Sequence, residues 1–102
     1  MVIILTSIDD KNKAKAIAQA LVEDKLAACV QISAQGTSFY QWQGKVCQEK
    51  EYYLSIKTDK AHQADVTTWL EANHPYDTPE IISLNAKASA EYQHWLEKTL
   101  NL

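Results

Sequence analysis

Residues 74–82 read His-Pro-Tyr-Asp-Thr-Pro-Glu-Ile-Ile and hold the densest chemistry in the chain. His74, Tyr76, Asp77 and Glu80 put an imidazole, a phenol and two carboxylates on one short stretch. Functional groups held on a stiff loop are where binding and catalysis concentrate. A helix stop with ordinary turn chemistry is the plainer reading of the same residues. The other group with metal chemistry is the thiol of Cys29. A thiolate and an imidazole suit copper or zinc, so Cys29 and His74 are the candidate metal ligands. They lie far apart in sequence, and two ligands fall short of a full coordination shell. Cys29 taken alone reads as a small buried hydrophobe. His62 and His94 fall on helical segments, and Cys47 falls near a turn with no evident role.

Both prolines of the chain stiffen this loop. Pro75 disfavours the α region at His74, and Pro79 does the same at Thr78. The segment is therefore an extended connector between a helix and a strand. Upstream, Val2 to Ile8 is apolar without clean alternation and reads as a central strand covered on both faces. Asp9 or Asp10 offers a helix cap. Ala14, Ile17, Ala18, Leu21 and Val22 then form an amphipathic stripe. Leu26 to Ala34 alternates as a second strand, and Gly36 marks a bend or bulge. Thr37 to Gln43 and Val46 to Thr58 form a long hairpin about the turn Gln43-Gly44-Lys45. Asp59 caps a helix running from Lys60 to Asn73, with Val66, Trp69, Leu70 and Asn73 facing inward. Ile81 to Ala86 is a strand. Ser89 caps the last helix, whose inner stripe is Tyr92, Trp95, Leu96, Thr99 and Leu100.

The order β-α-β-β-α-β with a third helix is an α+β arrangement, the ferredoxin-like split βαβ sandwich with an extended β-hairpin and an extra C-terminal helix. One domain spans residues 1–102. The hairpin is too long for its tip to lie over the domain's own core. Phe39, Tyr40, Trp42, Tyr52 and Tyr53 near that tip therefore need another surface.

Composition narrows the function classes. The net charge is −3, and all ten basic residues are lysines. A nucleic-acid partner wants a basic face, and bidentate phosphate binding wants arginine. Two glycines in all leave no nucleotide-cradling loop, and no nucleophile elbow or metalloprotease motif is present. The expectation is a protein that is not an enzyme, binds no nucleic acid and enters no membrane. The N-terminal residues lack a basic n-region, and the two cysteines are expected as free thiols, so a cytoplasmic location is expected.

Several stretches together resemble the CutA1-type divalent-cation tolerance family. They are Lys25-Leu26-Ala27-Ala28-Cys29-Val30, Ser38-Phe39-Tyr40-Gln41-Trp42-Gln43-Gly44-Lys45-Val46, Ile56-Lys57-Thr58, His74 to Ile82, and Tyr92-Gln93-His94-Trp95-Leu96. The resemblance covers nearly the whole chain. It implies a ferredoxin-like subunit in a tight homotrimer joined through the hairpins, similar in architecture to the PII signalling proteins. It also implies a role in tolerance of copper and other divalent cations. Two positions depart from the family pattern. Leu5 stands before Thr6 where some members have a cysteine, and Gln41 stands where a basic or another polar residue is frequent.

The resemblance further implies a cleft between subunits lined by Tyr40, Trp42, Lys57, Tyr76, Glu80 and Trp95. Plain interface packing of the same residues is the competing reading. No cofactor is obligatory in either case. The first functional reading is a homotrimer acting in the response to divalent metal ions, copper foremost. The second is a PII-like sensor or adaptor that binds a small ligand or a partner protein in the cleft. The third is a scaffold with no ligand.

Overall fold

A computed structural model describes residues 1–101. Strand β1 (Val2–Ile8) lies inside the sheet, between β4 (Lys45–Thr58) and β5 (Ile82–Asn85). The path is β2-β4-β1-β5, with β2 spanning Cys29–Ile32, and β3 (Gly36–Trp42) pairs the outer half of β4. Every pairing is antiparallel. Three helices complete the fold: α1 (Lys11–Glu23), α2 (Lys60–Asn73) and α3 (Ala90–Leu100). This is the α+β, ferredoxin-like arrangement the element order implied.

Helix boundaries follow local chemistry. The Asp10 side chain accepts from the Lys13 amide at 2.9 Å and starts α1. Lys25 then takes a positive φ of 54°, its amide donating to Val22 O while that of Leu26 reaches back to Leu21 O. That pair of bonds is the Schellman stop. It captures Leu26 and Ala27, so β2 begins at Cys29 rather than at Leu26. Asp59 and Ser89 cap α2 and α3 as their types suggest.

The core is one-sided. Leu54 and Ile56 of β4 and Val2, Ile4 and Ile8 of β1 pack under Ala14, Ile17 and Leu21 of α1 and Val66 and Leu70 of α2. Val22 turns outward, so the α1 stripe is narrower than its apolar residues suggested. Asn73 is exposed, and Trp69 is only half-buried at the core's edge. The opposite sheet face is less covered. Ile3 and Leu5 are half-buried, and Ile82 and Leu84, opposite Leu5 and Ile3, are exposed. The expectation that β1 is covered on both faces fails within one chain. Leu96 and Leu100 of α3 build a separate small cluster with Ala28 and Met1. Tyr92 of α3 sits with its ring 5.4 Å from Lys57 Nζ.

The hairpin gives the molecule its length. Fourteen residues of β4 extend about 44 Å at ~3.4 Å per residue, close to the 45 Å long axis. The radius of gyration is 14.3 Å, against roughly 13 Å for a compact domain of this size. Its turn is built by Gln43 (φ 51°) and Gly44 (φ 76°), the paired positive angles of a type I′ turn. At its base Ile32 opposes Leu54 while Gly36 opposes Glu51. Three residues, 33–35, thus face two, 52 and 53, which is a bulge. The Ser33 amide donates to Tyr53 O, and the Tyr53 amide donates to Ser33 Oγ. The extra residue reverses which side chains of this strand face a given side.

Candidate cation cleft

Two elements converge on one cleft of about 920 Å³: the hairpin and the loop after α2. The hairpin register decides what the hairpin contributes. A two-residue turn pairs Trp42 with Lys45, Tyr40 with Cys47, Ser38 with Glu49 and Gly36 with Glu51. Paired residues share a face, so Tyr40, Trp42, Glu49 and Glu51 all present to one side. The loop contributes Tyr76, Asp77, Thr78, Pro79 and Glu80, and the end of β1 adds Ser7 and Asp9.

The loop is locked to both strands by two residues. The Tyr76 amide donates to His74 Nδ1 at 3.1 Å, so Nε2 carries the proton and donates to Ser7 O at 2.8 Å. The two rings meet edge to face at 4.7 Å. Tyr76 then reaches over and donates its hydroxyl to Glu51 Oε2 at 2.9 Å. Glu51 is a buried carboxylate, 7% exposed. Burial, and then the hydrogen bond and charge of Glu51, hold the Tyr76 hydroxyl far above the ordinary tyrosine range. Desolvation, and then the charges of Glu49, Cys47 and Glu51, also push Tyr40 upward.

Five carboxylates therefore surround one space: Asp9, Glu49, Glu51, Asp77 and Glu80. No lysine lines it. Of the residues expected in a cleft, Tyr40, Trp42, Tyr76 and Glu80 meet here. Lys57 and Trp95 do not. They sit on a different group, where the Tyr92 ring is 5.4 Å from Lys57 Nζ and 5.4 Å from the Trp95 ring. The expected cleft lies between subunits, and one chain by itself keeps these two groups separate.

The candidate ligands Cys29 and His74 are also apart. Cys29 opposes Lys57 on β4, whereas His74 bonds to Ser7, which opposes Tyr53. Four residues of strand separate these levels, about 13 Å. Both nitrogens of His74 are occupied by backbone partners, so the imidazole serves the fold and has no free lone pair for a metal. Among the described residues of one chain, no three His, Cys, Asp or Glu side chains gather as a metal shell. Glu49, Glu51 and Asp9 were not singled out from sequence. The register signal was present, because a turn at Gln43-Gly44 places Glu49 and Glu51 on the face of Tyr40 and Trp42.

A family model described as CutA1 divalent ion tolerance protein matches residues 2–99. The chain belongs to the CutA1 family. A relative from Pectobacterium atrosepticum, a divalent-cation tolerance protein CutA, is 39% identical over 97% of this chain and 91% of its own length. The solved structure of CutA from Synechococcus elongatus PCC7942 superposes with a TM-score of 0.94 at 37% identity, covering 98% of this chain and 89% of that one. The structure of the periplasmic divalent cation tolerance protein CutA from Archaeoglobus fulgidus gives 0.93 at 32% identity, over 99% of this chain and 100% of that one. The CutA1 fold thus holds the acidic cleft and the proline loop of this chain, and no described helix is long and apolar enough to cross a membrane.

Proposed function

We propose that this CutA1 protein serves divalent-cation tolerance as a cytoplasmic homotrimer that binds its cation directly, and that it is a binder rather than a catalyst. The observation that carries the reading is the cleft with five carboxylates and no lysine in its lining. Its field attracts cations and raises their local concentration. Copper is the ion of choice because, for a given set of oxygen and nitrogen donors, Cu(II) binds most tightly among the first-row divalent metals. The carboxylates of one chain attract the ion without closing a shell around it, so a tightly held ion takes further donors from a second copy.

Assembly has its own support. Phe39 (65% exposed), Trp42 (62%) and Val46 (72%) project near the hairpin tip. The half-open sheet face adds Ile82, Leu84 and Trp95. Apolar surface of this extent on a small chain is buried by association. A second copy offers the same two surfaces, which a closed ring of copies covers.

Equilibrium dialysis of the full chain against Cu(II), with metal analysis, tests the proposal. The native protein retains copper, and Glu49→Gln and Glu51→Gln each weaken retention at least tenfold. Absence of retained copper, or retention unchanged in both variants, overturns it and moves the weight to a PII-like sensor of a small ligand.

A further inference from the structure

We propose that the cleft takes an elongate organic ammonium ion, a diamine or polyamine, in addition to a metal cation. The inference rests on the cleft being a cation site and adds a second ligand class to it. The first support is Glu51. Its Oε2 accepts from Tyr76, but among the described residues nothing donates to Oε1 and no cationic side chain lies against the carboxylate. It is 7% exposed and lines the cleft. Oε1 is not sealed from solvent, so it stands as a free acceptor for a ligand that brings positive N–H donors. An ammonium group brings three such donors.

The second support is the walls. Tyr40, Trp42 and Tyr76 surround the same space. Aromatic faces attract an ammonium and also bury the methylene groups attached to it. A bare divalent ion needs several oxygens at about 2.0–2.6 Å, and the described acidic groups do not converge that way. The spread that leaves a metal's shell open within one chain suits a long ligand with separated charges. Glu49 and Glu51 stand two residues apart on one face of β4, about 6.8 Å along the strand. That is close to the separation of the nitrogens in 1,4-diaminobutane. Asp77 and Glu80 on the loop, with Asp9, offer partners for a further ammonium group. Desolvation first, and then the charges of Glu49, Cys47 and Glu51, push the Tyr40 hydroxyl upward, in keeping with the same negative field. A volume of about 920 Å³ also lies within the range of small-molecule sites.

Isothermal titration calorimetry of the full chain with 1,4-diaminobutane and spermidine, using butylamine as the single-charge control, tests this. The expected result is saturable diamine binding at least tenfold tighter than butylamine, with spermidine tighter again. Glu51→Gln and the exposed Glu49→Gln each weaken the diamine at least tenfold while thermal melts confirm that both variants fold. Tyr40→Ala weakens it several-fold. No saturable diamine heat, equal affinity for butylamine, or unchanged affinity in folded Glu49→Gln overturns the inference. Copper retention without diamine binding removes this inference and leaves the metal reading intact. Diamine binding without copper retention does the reverse.

Discussion

The Thr6 hydroxyl is buried in β1 on the helix-covered face, and its Oγ1 has no hydrogen-bond partner among the described residues. A buried hydroxyl without a partner costs about 1–3 kcal/mol of desolvation. Thr6→Val keeps the shape and removes the hydroxyl, so it should raise stability by about 1 kcal/mol in chemical denaturation. Gly36 is required for the opposite reason. A Cβ there would run into the Tyr53 ring and stand 2.8 Å from its hydroxyl oxygen. That ring is held by Ser38 Oγ at 3.1 Å. Gly36→Ala should therefore cost about 1–2 kcal/mol of overpacking, read as a lowered thermal midpoint, and Tyr53→Ala in the same chain should recover part of the loss. His74 marks the limit of reading single residues. Its type allows a metal ligand or a structural bond, and only the positions of Ser7 O and the Tyr76 amide decide for the second.

At the scale of elements, the proline loop and the hairpin are joined by one bond, Tyr76 to Glu51. Tyr76→Phe leaves Glu51 buried without its donor and should destabilise the protein by about 1–3 kcal/mol. The bond also sets an alkaline response. The folded protein holds the Tyr76 hydroxyl above its unfolded value of 10.0. Its stabilising share is therefore complete below about pH 10 and is lost as pH rises from there toward the folded value. Thermal melts between pH 9 and 11.5 should show a decline above pH 10 that is shallower in Tyr76→Phe. An identical decline in both proteins would remove Tyr76 as its source. Much of this level was legible in the sequence. Prolines at 75 and 79, caps at Asp59 and Ser89, and a glycine at 44 each have one dominant local meaning, so the elements fell near their places. The limits of β2 were not legible, because a lysine rather than a glycine closes α1 at position 25. The acidic half of the cleft was missed because Glu49 and Glu51 look like the solvated face of a strand until the turn register sets them opposite Ser38 and Gly36.

The whole molecule joins two incomplete surfaces. The sheet is closed by α1 and α2 on one face and half-open on the other, and the hairpin extends beyond its own core. Lys57 and Trp95 were expected with Tyr40 and Trp42 in a cleft between subunits, and within one chain the two pairs lie on separate groups. Sequence order alone does not state whether two residues meet within a chain or across copies. In the proposed trimer both surfaces are covered, and the cleft is its cation site. Dissociation then precedes or accompanies unfolding, so the thermal midpoint should rise with protein concentration. A midpoint that stays constant over a hundredfold dilution range would argue against that coupling.

The most direct measurement is native mass spectrometry of the full chain, with and without one equivalent of Cu(II) per chain. The expected result is a species of three chains, each of 11.5 kDa, that retains copper, and loss of that copper in Glu51→Gln with the trimer intact. A monomer, or a trimer that leaves copper unbound, would contradict it.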